Sequence, residues 1–262
     1  MSSKSNDIQV PVGTAFLELT QFYADQCEIH TQENIPTLGL KAPQCLERIG
    51  TAFYYLNRLA SCQCGCAGGD HAIEYIVAKA LSAGQASLRL ARMAFYNESL
   101  SATRTVGEIA NLLMLFSLDR ENLDQWRSAP PETVKKELSP YNVRMKIQKL
   151  SGHIPVNKDA YELLCRTGTH ANPSVIPQGF NEYAMPMVGG LRYQERGFLV
   201  CVNELAIAVA FVCVKGPELV GITQETQAEI VLAGCDLLRT IGGVTLAGYG
   251  EYQSQEGTTP SS

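Results

Sequence analysis

The sequence predicts an all-α protein, folded as a single multi-helix bundle with a long irregular loop before its last two helices. Apolar residues recur at intervals of three and four, the period of an α-helix, from Phe16 to Ile29 and from Leu46 to Leu59. Proline and glycine gather in the stretch 173–197, which predicts the irregular loop. No linker and no internal repeat divides the 262 residues, so the sequence favours one domain.

The composition is that of a globular chain. Hydrophobic residues make up 45% and charged residues 18%, with a formal net charge of −5, which excludes disorder for most of the sequence. The polar ends predict disordered tails at 1–11 and 251–262, on either side of one helical domain at 12–250. The negative net charge gives no overall basic footprint of the kind that nucleic-acid-binding domains carry.

The N-terminus and the longest apolar stretch bear on the cellular location. The N-terminus lacks the apolar segment of a secretory signal, and the stretch from Phe198 to Val214 is interrupted by Asn203 and Glu204. We therefore predict a cytoplasmic protein without a membrane span. Its nine cysteines are predicted to be reduced, since the count is odd and no export signal is visible.

The apolar pattern predicts the first helices. The two segments with helical spacing, 16–29 and 46–59, are expected to pack together as a pair. A longer pattern runs from Asp70, a residue suited to cap a helix, to about residue 117. Gly84 lies inside this pattern, where glycine costs about 1 kcal/mol relative to alanine. Polar residues around Ser99 predict two helices with a break at that point.

Prolines and capping residues predict the boundaries of the next helices. A helix that starts near Glu132 is expected to end or kink at Ser139, because Pro140 disfavours helical backbone at the residue before it. Asn157 or Asp159 is suited to cap a short helix that follows.

The last two helices follow the long loop. The stretch from Phe198 to Val214 is compatible with a buried strand or a buried helix, and its length and alanine content favour the helix. From Thr223 to Ile241, glutamine and glutamate occupy one side and apolar residues the other. This pattern predicts the closing helix.

The first candidate for chemistry is the pair Arg104 and Glu108. Their spacing places both side chains on one helical face. Most such pairs are solvated salt bridges at the surface, but this one borders the nearly uncharged run 109–118. Two charges beside so apolar a run can instead line a polar cleft. The sequence leaves both interpretations open.

The second candidate is the segment that contains Glu162, Arg166 and His170. If its helix persists, the three side chains lie on one face. Histidine serves as a general acid or base near neutral pH, and a guanidinium binds phosphate, so the set suits phosphoryl transfer or RNA cleavage. The alternative is a structural histidine at a helix end, with Arg166 paired locally to Glu162.

The third candidate is a glycine-rich loop with Cys62, Cys64, Cys66 and His71. Thiolates and imidazole are ligands that zinc prefers, but structural zinc sites draw cysteine pairs from two places and no second pair is present. A tight turn between helices also explains these small residues. We predict no cofactor and no resident metal, and we keep metal binding by this loop as an alternative.

Common catalytic signatures are absent from the sequence. It has no GxGxxG after a strand, no GxxxxGK[ST], no GxSxG and no HExxH. The commonest nucleotide-binding and hydrolase classes therefore lose support.

The order of the motifs resembles that of helical bacterial proteins related to the HEPN superfamily. The similarity rests on Arg104-Thr-Val-Gly-Glu108, on the leucine-rich run after it, and on Tyr161-Glu-Leu-Leu-Cys-Arg-Thr-Gly-Thr-His170. It covers about residues 70–245. The resemblance implies an α-helical bundle, frequently dimeric, which in active members is a metal-independent ribonuclease.

The resemblance also implies roles for single residues. It makes His170 the general acid or base on the ribose 2′-hydroxyl and Arg166 the group that neutralises the phosphate. Arg104 and Glu108 complete the predicted catalytic set. The superfamily motif has four to six residues between its arginine and histidine, whereas three residues separate Arg166 from His170.

The predicted function is thus a ribonuclease or a toxin or defence-type protein. Its predicted partners are RNA, an antitoxin or other protein, and a second copy of the chain. Two alternatives stay open: a catalytically inactive helical interaction module, and a metal or small-molecule sensor that uses the loop from Cys62 to His71.

Overall fold

The described part of the chain contains ten α-helices. The computed structural model describes residues 11–39, 41–61, 63–64, 70–168 and 191–241. These residues contain no β-strand, so the all-α prediction is confirmed. The two predicted tails lie outside the described residues apart from Pro11, and so does most of the predicted loop at 173–197.

The helices are numbered in chain order. Their bounds are α1 Val12–Asn34, α2 Ala42–Ala60, α3 Ala72–Arg92, α4 Tyr96–Leu118, α5 Arg120–Ser128, α6 Pro131–Glu137, α7 Pro140–Leu150, α8 Lys158–Gly168, α9 Glu195–Lys215 and α10 Gln224–Leu238. Short 3-10 turns at Ile35–Thr37 and Pro217–Leu219 follow α1 and α9.

Helix α9 lies at the centre of the bundle and confirms the prediction of a helix over a strand. It packs against α2, α3, α4 and α10, and its Phe198 is fully buried. Within the described residues, the stretch Glu195–Leu219 is the one helical segment long and apolar enough to cross a membrane. Because 83% of its most apolar window is buried inside the bundle, its position is that of a core helix.

The break between α3 and α4 lies at Met93–Phe95, so the prediction of a break near Ser99 is wrong. Ala94 has a φ of 64°, and the amide after it donates to the carbonyl of Leu90 at 2.9 Å, which ends α3 in a Schellman motif. Glycine is the usual residue at that position, so alanine gives no signal in the sequence. Ser99 instead lies buried inside α4, where its hydroxyl is 3.0 Å from that of Ser87.

Side-chain caps fix several helix starts. Asn157 accepts a hydrogen bond from an amide in the first turn of α8 at 2.9 Å, so it is the cap rather than Asp159. Ser139 accepts in the same way for α7, which begins at Pro140, so the predicted end or kink of the preceding helix at Ser139 is confirmed as a break between two helices. Asp70 accepts from the first amide of α3 at 3.1 Å.

Gly84 allows α3 to approach two other helices. A Cβ atom at this position would lie 2.9 Å from Phe53 of α2 and 3.7 Å from Leu205 of α9. The cost of glycine in a helix is therefore offset by closer packing of the core.

Helix α1 is only partly packed. Its buried residues are Ala24, Cys27 and Thr31, and the Thr31 hydroxyl donates to the carbonyl of Arg92 in α3 at 2.9 Å. The predicted pairing of α1 with α2 is wrong, because α2 is covered instead by α3, α9 and α10. The first half of α1 therefore extends beyond the packed bundle.

Candidate functional site

Arg104 and Glu108 meet across one turn of α4. The Oε1 atom of Glu108 accepts hydrogen bonds from Nε and Nη2 of Arg104, each at 2.9 Å. The side chains are 24% and 32% exposed, so the pair is half-buried. This arrangement matches a polar cleft better than a solvated surface salt bridge.

Tyr161 of α8 completes the cluster. Its hydroxyl accepts a hydrogen bond from Nη2 of Arg104 and donates one to Oε1 of Glu108, both at 2.9 Å. We call Arg104, Glu108 and Tyr161 the polar triad. It links α4 to α8 through charge-assisted hydrogen bonds, which are stronger than neutral ones.

The triad holds its groups in defined protonation states. Burial raises the pKa of Tyr161 to about 12, with a further rise from the Glu108 carboxylate. The phenol therefore stays protonated at neutral pH and remains a donor. Burial alone would lower the pKa of Arg104, but the charge of Glu108 and the bond to Tyr161 raise it above its ordinary value. The guanidinium stays charged.

Arg144 of α7 adds a second guanidinium beside the triad. Its Cζ atom lies 4.1 Å from the centre of the Tyr161 ring, and that of Arg104 lies 5.1 Å from the same ring. Both distances fit cation–π contacts. Arg144 is 8% exposed, and its buried Nη1 atom has no hydrogen-bond partner within the described residues. A buried donor of this kind is costly, because it has lost water without gaining a partner.

Two contacts fix the position of α8 against α4. The Asn111 side chain donates to the carbonyl of Val156 and accepts from its amide, both at 2.9 Å, which anchors the connection before α8. At the other end, a Cβ atom on Gly168 would lie 2.7 Å from the backbone nitrogen of Ser101. Only glycine allows this approach, so α8 lies antiparallel to α4 with Tyr161 beside the Arg104–Glu108 turn.

A cavity of about 200 Å³ opens beside the triad. It lies between α3, α4 and α7, and Lys79, Glu108 and Asn111 supply polar groups to a wall that is otherwise largely apolar. The charged residues of this lining are Lys79 and Glu108, and Glu108 also accepts the hydrogen bonds from Arg104 and Tyr161, which places the triad at the edge of the cavity.

The structure brings together Arg104 and Glu108 of the predicted catalytic set. Arg166 is exposed on α8 and makes no hydrogen bond or ion pair with the triad among the described residues. Glu162, its predicted local partner, instead lies 3.7 Å from the Nζ atom of Lys158. His170 lies outside the described residues, two positions after Gly168.

The cysteine-rich loop is only partly described. Cys62 and Cys66 lie outside the described residues, whereas Cys64 is buried and His71 lies 3.5 Å from Glu74. Burial raises the pKa of the Cys64 thiol. The described residues hold no cluster of three or more side chains suited to a metal ion.

Sequence reasoning missed Arg144 and the part that the Tyr161 hydroxyl plays. Arg144 carries a weak signal, because it stands next to Val143 and three residues before Ile147, both buried. A charged residue on the apolar face of a helix predicts a buried partner. The sequence does not say that this partner is an aromatic ring on a later helix.

Comparison with known proteins finds no match to this chain. No family model, no curated protein and no solved structure is significantly similar to it.

Proposed function

We propose that the chain is a cytoplasmic, HEPN-like, metal-independent ribonuclease of toxin or defence type. The observation that supports it is that two guanidinium groups, those of Arg104 and Arg144, both contact the ring of the protonated Tyr161 next to a cavity. A phosphodiester is the biological anion that such groups commonly bind. An antitoxin or another protein would then control the activity.

The charges of the cluster suit a phosphate group. Glu108 offsets one guanidinium, which leaves Arg144 as the uncompensated charge, and its Nη1 atom is the donor without a described partner. The half-buried setting strengthens the attraction, because water screens it less than at the surface.

The proposed reaction is transfer of the phosphodiester to the neighbouring ribose oxygen. His170 accepts the proton of the 2′-hydroxyl, whose oxygen attacks phosphorus while the bond from phosphorus to the 5′-oxygen breaks. The leaving oxygen takes up a proton from the protonated imidazole or from water, and the product is a 2′,3′-cyclic phosphate. Arg166 and the guanidinium groups of the cluster would stabilise the charge of the transition state.

The test is cleavage of a panel of single-stranded and structured RNAs in the presence of EDTA. The full chain is expected to leave 2′,3′-cyclic phosphate ends, and His170→Ala is expected to lower the rate at least about 100-fold, the contribution typical of a general base. His30→Ala is the matched control, since it removes an exposed histidine on α1 that belongs to no candidate site. Equal cleavage by wild type and His170→Ala, or none by wild type, contradicts the proposal.

An inactive helical interaction module is the second candidate. It is favoured by the fact that Nε and Nη2 of Arg104 are already bonded to Glu108 and Tyr161, as expected of a clamp that joins α4 to α8. In that case neither the wild type nor His170→Ala cleaves RNA, and Tyr161→Phe lowers the melting temperature because it removes a bond between α8 and α4. Measuring the zinc content of the purified chain tests the sensor alternative.

A further inference from the structure

The cavity between α3, α4 and α7 has the form of a small ligand site. Two charged residues belong to its lining, Lys79 of α3 and Glu108 of α4, and most of the rest is aliphatic. The aliphatic residues are Ile109, Leu112, Leu138, Pro140 and Val143. Concave sites with apolar walls and a few polar groups are the usual setting for bound small molecules.

The volume of the cavity suits one flat ring system. It measures about 200 Å³, whereas a cavity of about 150 Å³ lined by apolar side chains binds a benzene ring. Lys79 is exposed, so the cavity is open to solvent on that side. A larger molecule can therefore insert one ring and leave its other parts outside. A nucleotide, with its base inside and its sugar and phosphate outside, has this shape.

Glu108 keeps one carboxylate oxygen free of the polar triad. Within the described residues, Arg104 and Tyr161 donate to Oε1, and Oε2 receives no hydrogen bond. An ionised carboxylate accepts hydrogen bonds and donates none. Oε2 is therefore available to an N–H group of a molecule in the cavity.

Lys79 supplies the opposite kind of group, because an ammonium donates hydrogen bonds and accepts none. In the described part of the chain, Glu108 forms its ion pair with Arg104 and none with Lys79, although Lys79 and Glu108 line the same cavity. The cavity thus offers an acceptor and a donor that do not satisfy each other. A ligand satisfies both if one edge of its ring carries a donor beside an acceptor.

We propose that this cavity is a base subsite for the RNA substrate and that it prefers guanine. The inference rests on the proposed function, from which it takes RNA as the ligand. Guanine carries two adjacent N–H groups, at N1 and N2, beside the acceptor O6, and proteins commonly read this edge in single-stranded RNA. The N–H groups donate to Oε2 of Glu108, and O6 accepts from Lys79. Adenine, cytosine and uracil each have one nitrogen donor on the same edge, so they satisfy Oε2 less well.

The position of the base subsite fits the rest of a nucleotide. Glu108 belongs both to the cavity and to the triad. Arg104 and Arg144 contact the ring of Tyr161, the third member of the triad. A base in the cavity therefore lies beside the guanidinium groups that are proposed to bind phosphate.

The test is binding of the four ribonucleoside 5′-monophosphates to the full chain, measured by isothermal titration calorimetry in EDTA. Ribose 5-phosphate, which lacks a base, measures the contribution of the phosphate. GMP is expected to bind at least about fivefold more tightly than AMP, CMP or UMP, the lower end of what one base-reading pair provides. No binding by any nucleotide, equal binding of all four, or tighter binding of another base overturns the proposal.

Variants of the lining test the assignment of the two groups. Lys79→Ala removes the donor to O6 at an exposed position, and it is expected to abolish the preference for GMP without changing the binding of ribose 5-phosphate. Leu112→Trp fills the cavity and is expected to weaken all four monophosphates to the affinity of ribose 5-phosphate, with unchanged helix content by circular dichroism. Lys135→Ala is the matched control, because Lys135 is exposed on α6 outside this lining. A preference for GMP that survives Lys79→Ala overturns the proposal.

Binding and RNA cleavage separate the base subsite from the ribonuclease. A preference for GMP in a chain that cleaves no RNA supports the guanine site and contradicts the ribonuclease. Cleavage of RNA by wild type, with equal binding of the four monophosphates, supports the ribonuclease and overturns the base subsite.

Discussion

Helices α1 and α9 are of similar length and both are rich in apolar residues, yet α9 is largely buried and α1 is largely exposed. Helix α9 buries 15 of its 21 residues, whereas α1 buries three of its 23. The difference follows from the number of partners: α9 contacts four helices, while α1 packs mainly on the end of α3. Apolar spacing therefore predicts that a segment is helical, but not how many other helices will cover it.

The largest expected effect separates the two helices directly. Phe198→Ala in α9 should destabilise the protein by about 3–5 kcal/mol, because it leaves a cavity in a fully packed core. Phe16→Ala in α1 should change the stability of the single chain by less than about 0.5 kcal/mol, because its ring is largely in water. Urea unfolding at low protein concentration measures both. Equal losses of stability from Phe198→Ala and Phe16→Ala would show that Phe16 is packed in solution.

A second expectation concerns pH and the buried thiols. Burial raises the pKa of Cys45 in α2 to about 11 and that of Cys201 in α9 to about 12, from an ordinary value of 9.0. Above pH 9 the unfolded chain loses these protons while the folded chain keeps them. The unfolded state then binds fewer protons, so stability falls as pH rises from 9 to 11.

The expected slope is about 1.4 kcal/mol per thiol for each pH unit above 9. Thermal melting between pH 8 and pH 10.5 measures it, before and after Cys201→Ala, which should remove about half of the loss due to the two thiols. Cys235→Ala, at a half-buried position in α10, is the control. A melting temperature that stays constant through this range would show that water reaches α9.

The third expectation concerns α8, a short helix that, unlike the first half of α1, contacts α4 at both of its ends. Gly168→Ala should destabilise the protein by about 1–3 kcal/mol, because the new Cβ atom meets the backbone at Ser101. Gly50→Ala is the matched control: nothing lies within 4 Å of its Cβ position, and alanine there should stabilise α2 by about 1 kcal/mol. Guanidinium unfolding compares the two. If Gly168→Ala does not destabilise the protein relative to Gly50→Ala, α8 does not approach α4 as closely as the structure shows.

Much of the fold could be predicted from local patterns. The break at Pro140, the cap at Asn157 and the helical state of the 198–214 stretch all depend on neighbouring residues, and all are confirmed. The turn at Ala94 was missed because alanine carries no preference for a positive φ. The pairing of α1 with α2 was wrong because choice of partner is not a local property.

The candidate site, too, could be predicted only in part. The spacing of Arg104 and Glu108 was enough to place them together, since one turn of helix joins them. Tyr161 and Arg144 join them only through the packing of α7 and α8 on α4, which no spacing in the sequence reports. The roles of Arg166 and His170 stay predictions.

The sequence by itself determined the all-α class, the positions of most helix ends and one ion pair, because these depend on residues within a few positions of one another. Only the tertiary structure decided that α9 is enclosed, that the first half of α1 stays exposed, and that the ring of Tyr161 contacts two guanidinium groups. These outcomes depend on contacts between residues far apart in the sequence, such as Arg144 with Tyr161 and Ala52 with Cys213, and shape, buried area and close approach at glycines select the partner.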